Sequence, residues 1–134
     1  MDGTLYEYRF IERALTKRLH PHASIGDYLP HDIIILNDAG KVFRVQVKGT
    51  HSFKETSTSN TSRWRITAGS GRVQKKRLDC SKVDVLAAHI GELDVWYLIP
   101  CLRLTAVSLW LYPESPESKA QFEPYKENWD IFLD

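Results

Sequence analysis

The stretch from Asp32 to Lys48 constrains this chain more than any other, because it reads as a β-hairpin with polar side chains gathered at one end. Ile33 to Leu36 is three isoleucines and a leucine, apolar enough for a strand buried on both faces. Asn37-Asp38-Ala39-Gly40 supplies turn chemistry, with Gly40 free to take a positive φ. On the return strand Phe43, Val45 and Val47 point one way, and Arg44, Gln46 and Lys48 the other. Closing the hairpin with Leu36 opposite Lys41 pairs Asp32 with Val45, beside Gln46. Burying such polar groups is costly unless they are paired or bind a metal, so their clustering predicts a site.

At 134 residues the chain predicts one domain over 1–134, long enough for a real core. With 43% hydrophobic and 26% charged residues and no repeat, it has the make-up of an ordinary soluble protein. No apolar run approaches the roughly 18–20 residues that cross a bilayer. The N-terminus lacks a charged segment followed by a long apolar one, so neither membrane nor secretion is expected. Cys80 and Cys101 show no metal or framework spacing and are expected to be reduced and buried, in a cytoplasmic protein.

The net charge of +1 hides a strong asymmetry along the chain. Residues 1–40 balance to −2, residues 41–82 to +9 and residues 83–134 to −6. A basic middle third suits a polyanion, most simply nucleic acid. The plainer alternative is that the acidic third folds against the basic one.

Thr4 or Asp2 can cap a helix running to about Leu19, with Leu5, Tyr8, Ile11, Leu15 and Leu19 as its core-facing stripe. Residues 20–31 read as a connector, and residues 51–61 as a polar, Ser/Thr-rich loop. Arg63 to Thr67 alternates like a third strand. Val83–Ile90 and Val95–Ile99 predict a second hairpin, Ser108–Tyr112 a further strand, and residues 117–131 a closing helix interrupted at Pro124. This order implies an α+β fold, with a central mixed β-sheet flanked by helices.

Phosphodiester hydrolysis requires charge neutralised on the phosphate and an activated water, which a carboxylate-held divalent cation and a nearby lysine provide. Mg²⁺ takes few protein ligands, so Glu7, Asp32 and the Val47 carbonyl suffice to hold it, with Lys48 alongside. Position 46, where a third acid would normally stand, is glutamine.

At these residues the chain resembles the PD-(D/E)xK nuclease superfamily, whose signature is Asp-x(n)-(Asp/Glu)-x-Lys on a β-hairpin after a helix that carries a glutamate. The likeness is greatest to a small bacterial branch with a Gln-x-Lys variant, which includes an intron-encoded homing endonuclease. Gly3-Thr4-Leu5-Tyr6-Glu7 is similar to the opening of the family's first helix, and Arg44-Val45-Gln46-Val47-Lys48 to its catalytic strand. Val83-Asp84-Val85, Val95 to Pro100 and Tyr125 to Trp129 resemble its later strands and closing helix.

The resemblance implies a restriction-endonuclease-like αβββαβ core and a metal-dependent DNA endonuclease using Mg²⁺, with Mn²⁺ as a substitute. It implies Glu7 and Asp32 as metal ligands, Gln46 beside the metal and Lys48 serving the water. Double-stranded DNA is the expected substrate. A homodimer or homotetramer is the expected assembly, because one subunit carries one site. Arg44, Lys54, Arg63, Arg65, Arg72, Lys75, Lys76 and Arg77 are the candidate DNA-binding residues. A Holliday-junction-resolvase-like nuclease and a catalytically silent nucleic-acid-binding module on the same fold are the alternatives.

Each site residue also has a plainer reading. Asp32 suits a charged strand end, Lys48 a charge that blocks edge pairing, and Glu7 an acid favoured by the helix dipole. Glu12 competes with Glu7 for the helix's role. Trp64 stands between Arg63 and Arg65 and alone among the tryptophans has a claim to face DNA.

Overall fold

The computed structural model describes residues 3–23, 25, 31–50, 55–56, 62–69, 76–114 and 120–133. Helix α1, Gly3–Thr16, buries Tyr6, Phe10 and Ala14, which recur every four residues along one face. The stripe expected from the sequence is instead largely outward, with Leu5 43%, Tyr8 65% and Leu15 58% exposed. Aromatic packing decides the rotation of the helix: Phe10 meets Trp96 at 5.4 Å and Trp129 at 5.6 Å between ring centroids. The helix also stops short of Leu19. Arg18 takes a left-handed φ of 61°, and the Leu19 N–H returns to the Ala14 carbonyl at 3.0 Å, closing the last turn.

A five-stranded sheet in the order β1-β2-β3-β6-β7 carries the fold, where β1 is His20–Ala23, β2 Ile33–Leu36 and β3 Val42–Thr50. Strand β6 spans Val85–Ile90 and β7 spans Val95–Pro100. Only β3 and β6 run parallel; the other neighbours in this sheet are antiparallel. The sheet is thus mixed and the class α+β, as the sequence predicted. Strand β1 corrects the expected connector: Pro21 argues against a strand, but at a sheet edge its missing N–H is tolerated.

Every residue of β6 is buried, because both faces of the sheet are covered. On one face Val45, Val47, Val85, Ala87 and Leu98 pack under α1 with Trp96, Trp129 and Phe132. On the other, Leu86, Ala88, Ile90, Tyr97 and Ile99 meet Trp64, Ile66, Leu109 and Leu111. Each fully buried Leu, Ile or Val contributes roughly 1.5–3 kcal/mol of transfer free energy.

Those last four residues belong to a separate three-stranded sheet, β4-β5-β8, formed by Glu55–Thr56, Ser62–Thr67 and Ser108–Leu111. Arg63 to Thr67 is therefore a strand, as expected, but outside the main sheet. Strand β4 falls within the expected loop; the rest of that loop, residues 51–54 and 57–61, lies outside the described set. Trp64 is fully buried on the inner face of β5, so its expected DNA-facing role does not hold.

The expected closing helix is replaced by two short 3-10 turns, Glu123–Tyr125 and Trp129–Phe132. Tyr97 ties the first to the sheet by donating to Glu123 Oε1 at 2.7 Å, and burial together with that contact pushes its phenol well up. Cys80 and Cys101 form a disulfide, which corrects the reduced state expected from their spacing. The fold brings them together because Cys101 follows β7 where the Cys101 N–H meets the Asp84 carbonyl at 2.9 Å, close to the 79–83 turn.

Candidate active site

The hairpin closes one residue later than the sequence predicted. Leu36 pairs with Val42 and Ile33 with Val45, and the turn between them includes Gly40 at φ 85°. The Asp32 N–H nevertheless reaches the Val45 carbonyl at 2.9 Å, so Asp32 and Ile33 together face Val45 in the manner of a β-bulge. The bend restores the expected neighbourhood and turns the Asp32 carboxylate along β3. Its Oδ2 accepts the Val47 backbone N–H at 2.9 Å and the Gln46 amide Nε2–H at 3.0 Å.

Strand β2 pairs with β3 only as far as Val45, and β3 runs on past it, leaving a corner at that edge. Alternate residues of a strand aim their amides at opposite edges, so the Val47 carbonyl shares the edge of its N–H and faces the corner. Glu7 enters from the helix side of the sheet, while Gln46 and Lys48 come from the other face. Tyr6, Glu7, Asp32, Gln46, Val47, Lys48 and Gly49 line one pocket of about 280 Å³. All the residues expected from the sequence as metal ligands or catalytic groups are among them. Glu12 is not; it lies by a different pocket with Arg9, Arg13, Gly91 and Asp94.

Two lining residues were missed at the level of sequence, and together they explain the placement of Glu7. The ring of Tyr6 lies directly against Gly49, where an added Cβ would collide with its Cε1, Cδ1 and Cζ atoms. That close approach seats the first turn of α1 on β3 and carries Glu7, the next residue, to the corner. Burial raises the Tyr6 phenol's pKa, with Arg9 opposing the shift. A Lys-Gly step at the end of a β-strand was the available signal.

No group of three or more His, Cys, Asp and Glu converges among the described residues. The corner instead offers two carboxylates, one amide side chain and one strand carbonyl. Oxygen donors of this kind fit a hard cation such as Mg²⁺, which keeps several of its own waters. The Lys48 side chain has no hydrogen-bond or ion-pair partner among the described residues, so its ammonium is not committed to a structural contact there.

The candidate DNA-binding residues divide into distinct groups. Arg44 is held at home: Asp84 Oδ2 accepts its backbone N–H and Nε–H at 2.8 and 3.0 Å, Asp84 Oδ1 accepts Nη2–H at 2.8 Å, and the Ser81 carbonyl takes Nη1–H. The same contacts hold the Asp84 carboxyl below its usual range. Arg65 pairs across the strands with Trp110, and the Arg63 guanidinium lies 3.8 Å from the Trp110 ring centroid. These three therefore share the outer face of the small sheet. Arg77 reaches the Thr105 carbonyl at 3.3 Å, and Lys76 precedes it as an exposed residue. Lys54, Arg72 and Lys75 lie outside the described residues.

A family model described as PD-(D/E)XK endonuclease matches residues 2–130. The chain belongs to this family. Among solved structures, the fold is similar to that of the bacterial homing endonuclease I-Ssp6803I. The TM-score is 0.72 at 21% identity, over 98% of this chain and 90% of that one. No curated protein sequence matches the chain. The expected family and fold class are thereby borne out, and membership of the PD-(D/E)XK family supports nuclease activity. No helix among the described residues is long and apolar enough to cross a membrane.

Proposed function

We propose that the chain is a Mg²⁺-dependent DNA endonuclease that hydrolyses phosphodiester bonds at the corner beside Asp32, as one domain over residues 1–134. The observation that carries this reading is the anchoring of the Asp32 carboxylate by Val47 N–H and Gln46 in the pocket that Glu7 and Lys48 also line. A cation needs its ligands fixed before it arrives, and two donors on one carboxylate oxygen fix that ligand's orientation.

Glu7, Asp32 and the Val47 carbonyl would hold the cation, and Mn²⁺ has the same preference for oxygen donors. A divalent cation held there would neutralise charge on the scissile phosphate and lower the pKa of a water, so that a hydroxide nucleophile becomes available. Lys48 orients the attacking water and stabilises negative charge developing on the phosphate. Gln46 supplies no charge; its amide steadies Asp32.

Arg63, Arg65, Lys76 and Arg77 form the described part of the DNA-facing surface, with Lys54, Arg72 and Lys75 assigned to the same role from the sequence. Arg44 serves DNA binding indirectly, by tying β3 to the segment before β6. Similarity to a homing endonuclease supports a double-stranded DNA target, and one site per chain supports an assembly of two or four chains to cut both strands. The proposed DNA substrate supports the expected cytoplasmic location, whereas the Cys80–Cys101 disulfide is more usual outside a reducing compartment.

Nicking of supercoiled plasmid tests the reading, using wild type, Asp32→Ala and Lys48→Ala with and without Mg²⁺. Mg²⁺-dependent nicking by wild type alone, with DNA binding retained by both variants, supports it. Binding without cleavage by wild type points instead to a silent module on this fold. Preference for a four-way junction over linear duplex points to a resolvase-like enzyme.

A further inference from the structure

The outward face of α1 is too apolar for a surface that meets only water. Leu5, Tyr8, Glu12 and Leu15 fall within about 80° of one another around the helix, at 100° per residue. They lie opposite the buried Tyr6, Phe10 and Ala14. Three of the four are large apolar side chains, 43%, 65% and 58% exposed in that order. Isolated exposed apolar residues are ordinary, whereas three large ones sharing one face of a helix around a single acid mark a contact surface.

We infer that α1 is the surface through which two copies of this chain associate, the helices running antiparallel about a twofold axis. In that arrangement residues whose numbers sum to about 20 face each other. Leu5 meets Leu15 of the second copy, and Glu12 meets Tyr8 and Arg9 of the second copy. The charges are therefore self-complementary: each Glu12 finds an Arg9, twice per pair, as a twofold interface requires. A receiving surface continues the stripe, since Leu15 borders an open groove of about 620 Å³ with Pro21 and Leu36 in its wall. Leu5 of the second copy enters beside it. The acid at the centre of the stripe disfavours a polyanion on this face.

Glu7 points about 100° away from Tyr8 around the helix, so the pairing leaves both pockets open. On the proposed nuclease reading, the dimer then carries one site for each strand of a duplex.

Sedimentation of the full chain reads the association without reference to cleavage. Wild type is expected at twice the 15.5 kDa chain mass. The Tyr8→Glu/Leu15→Glu variant is expected at the single-chain mass with its fold kept, because both side chains are exposed, and with a melting temperature that no longer depends on concentration. Glu12→Arg should weaken association by about tenfold or more, and adding Arg9→Glu should restore it. A wild type that stays monomeric at every concentration, or a double variant that still dimerises as wild type does, overturns the inference. Should the double variant fail to fold, oxidation of a mixture of Leu5→Cys and Leu15→Cys copies decides. A mixed cross-linked pair supports the antiparallel register, and its absence overturns it. Loss of cleavage with dimerisation intact would instead count against the nuclease reading alone.

Discussion

The Tyr6 ring occupies the space that a Cβ on Gly49 would need, so helix α1 and strand β3 meet one residue from both Glu7 and Lys48. Any side chain at 49 must displace the Tyr6 ring or push the helix away from the sheet. Gly49→Ala is expected to cost about 1–3 kcal/mol by overpacking and to reduce nicking by displacing Glu7. Adding Tyr6→Leu should recover part of the stability. Thermal melts and plasmid nicking of the single and double variants check this pair of outcomes.

The Gln46 amide donates to Asp32, so replacing it with an acid removes a donor and sets two carboxylates against each other. Gln46→Glu is expected to lower the melting temperature in EDTA and to regain it as Mg²⁺ is added. Wild type should respond less to the metal. Melting curves across a Mg²⁺ titration separate the two, and identical responses would argue against a cation at this corner.

Salt dependence distinguishes the basic residues. Alanine at Arg63, Arg65, Lys76 or Arg77 is expected to weaken DNA binding. The slope of log K against log salt should fall by about 0.9 for each phosphate no longer neutralised. Arg44→Ala should leave the slope unchanged, because Asp84 already takes its guanidinium. Its cost appears in stability, at about 1–3 kcal/mol for leaving the half-buried Asp84 short of donors. Fluorescence anisotropy at several salt concentrations, beside a thermal melt, measures both.

His89 makes the fold acid-sensitive. It is fully buried against Trp96, with ring centroids 4.3 Å apart. Burial lowers its pKa from the usual 6.5 despite the opposing Asp94 contact, and Arg9 and Arg13 lower it further. At neutral pH the 2.9 Å contact is thus a neutral imidazole N–H donating to Asp94. Between the lowered value and 6.5 the unfolded chain binds the extra proton, so stability is complete above pH 6.5 and falls as pH drops through that window. Asp94, whose carboxyl is lowered by His89 and Arg13, adds a second loss below its usual 3.8. Melting temperatures from about pH 8 to 5 should fall in wild type and flatten in His89→Phe.

The sequence made the candidate corner legible because most of its residues lie on one hairpin, where the period of two and a turn motif determine which groups meet. Even a one-residue error in register left Asp32 beside Val45, since the bulge absorbed it. The rotation of α1 was not legible. Leu5, Tyr8 and Leu15 compete with Tyr6, Phe10 and Ala14 at similar helical spacing, and only Trp96 and Trp129, distant in sequence, decide between them. Strand β1 and the Cys80–Cys101 bond were hidden for related reasons: a sheet edge tolerates Pro21, and the cysteines meet only once β7 lies beside Asp84.

Because β3 and β6 run in the same direction, the chain must travel the length of the sheet between Thr50 and Val85 before it can rejoin. That detour carries β4, β5 and seven of the eight candidate DNA-binding residues, whereas the candidate hydrolytic groups all precede it. Lengthening such an excursion costs little, about 0.6 kcal/mol for each doubling. On the proposed reading, a nuclease wired this way can exchange its reading head and keep its cutting edge.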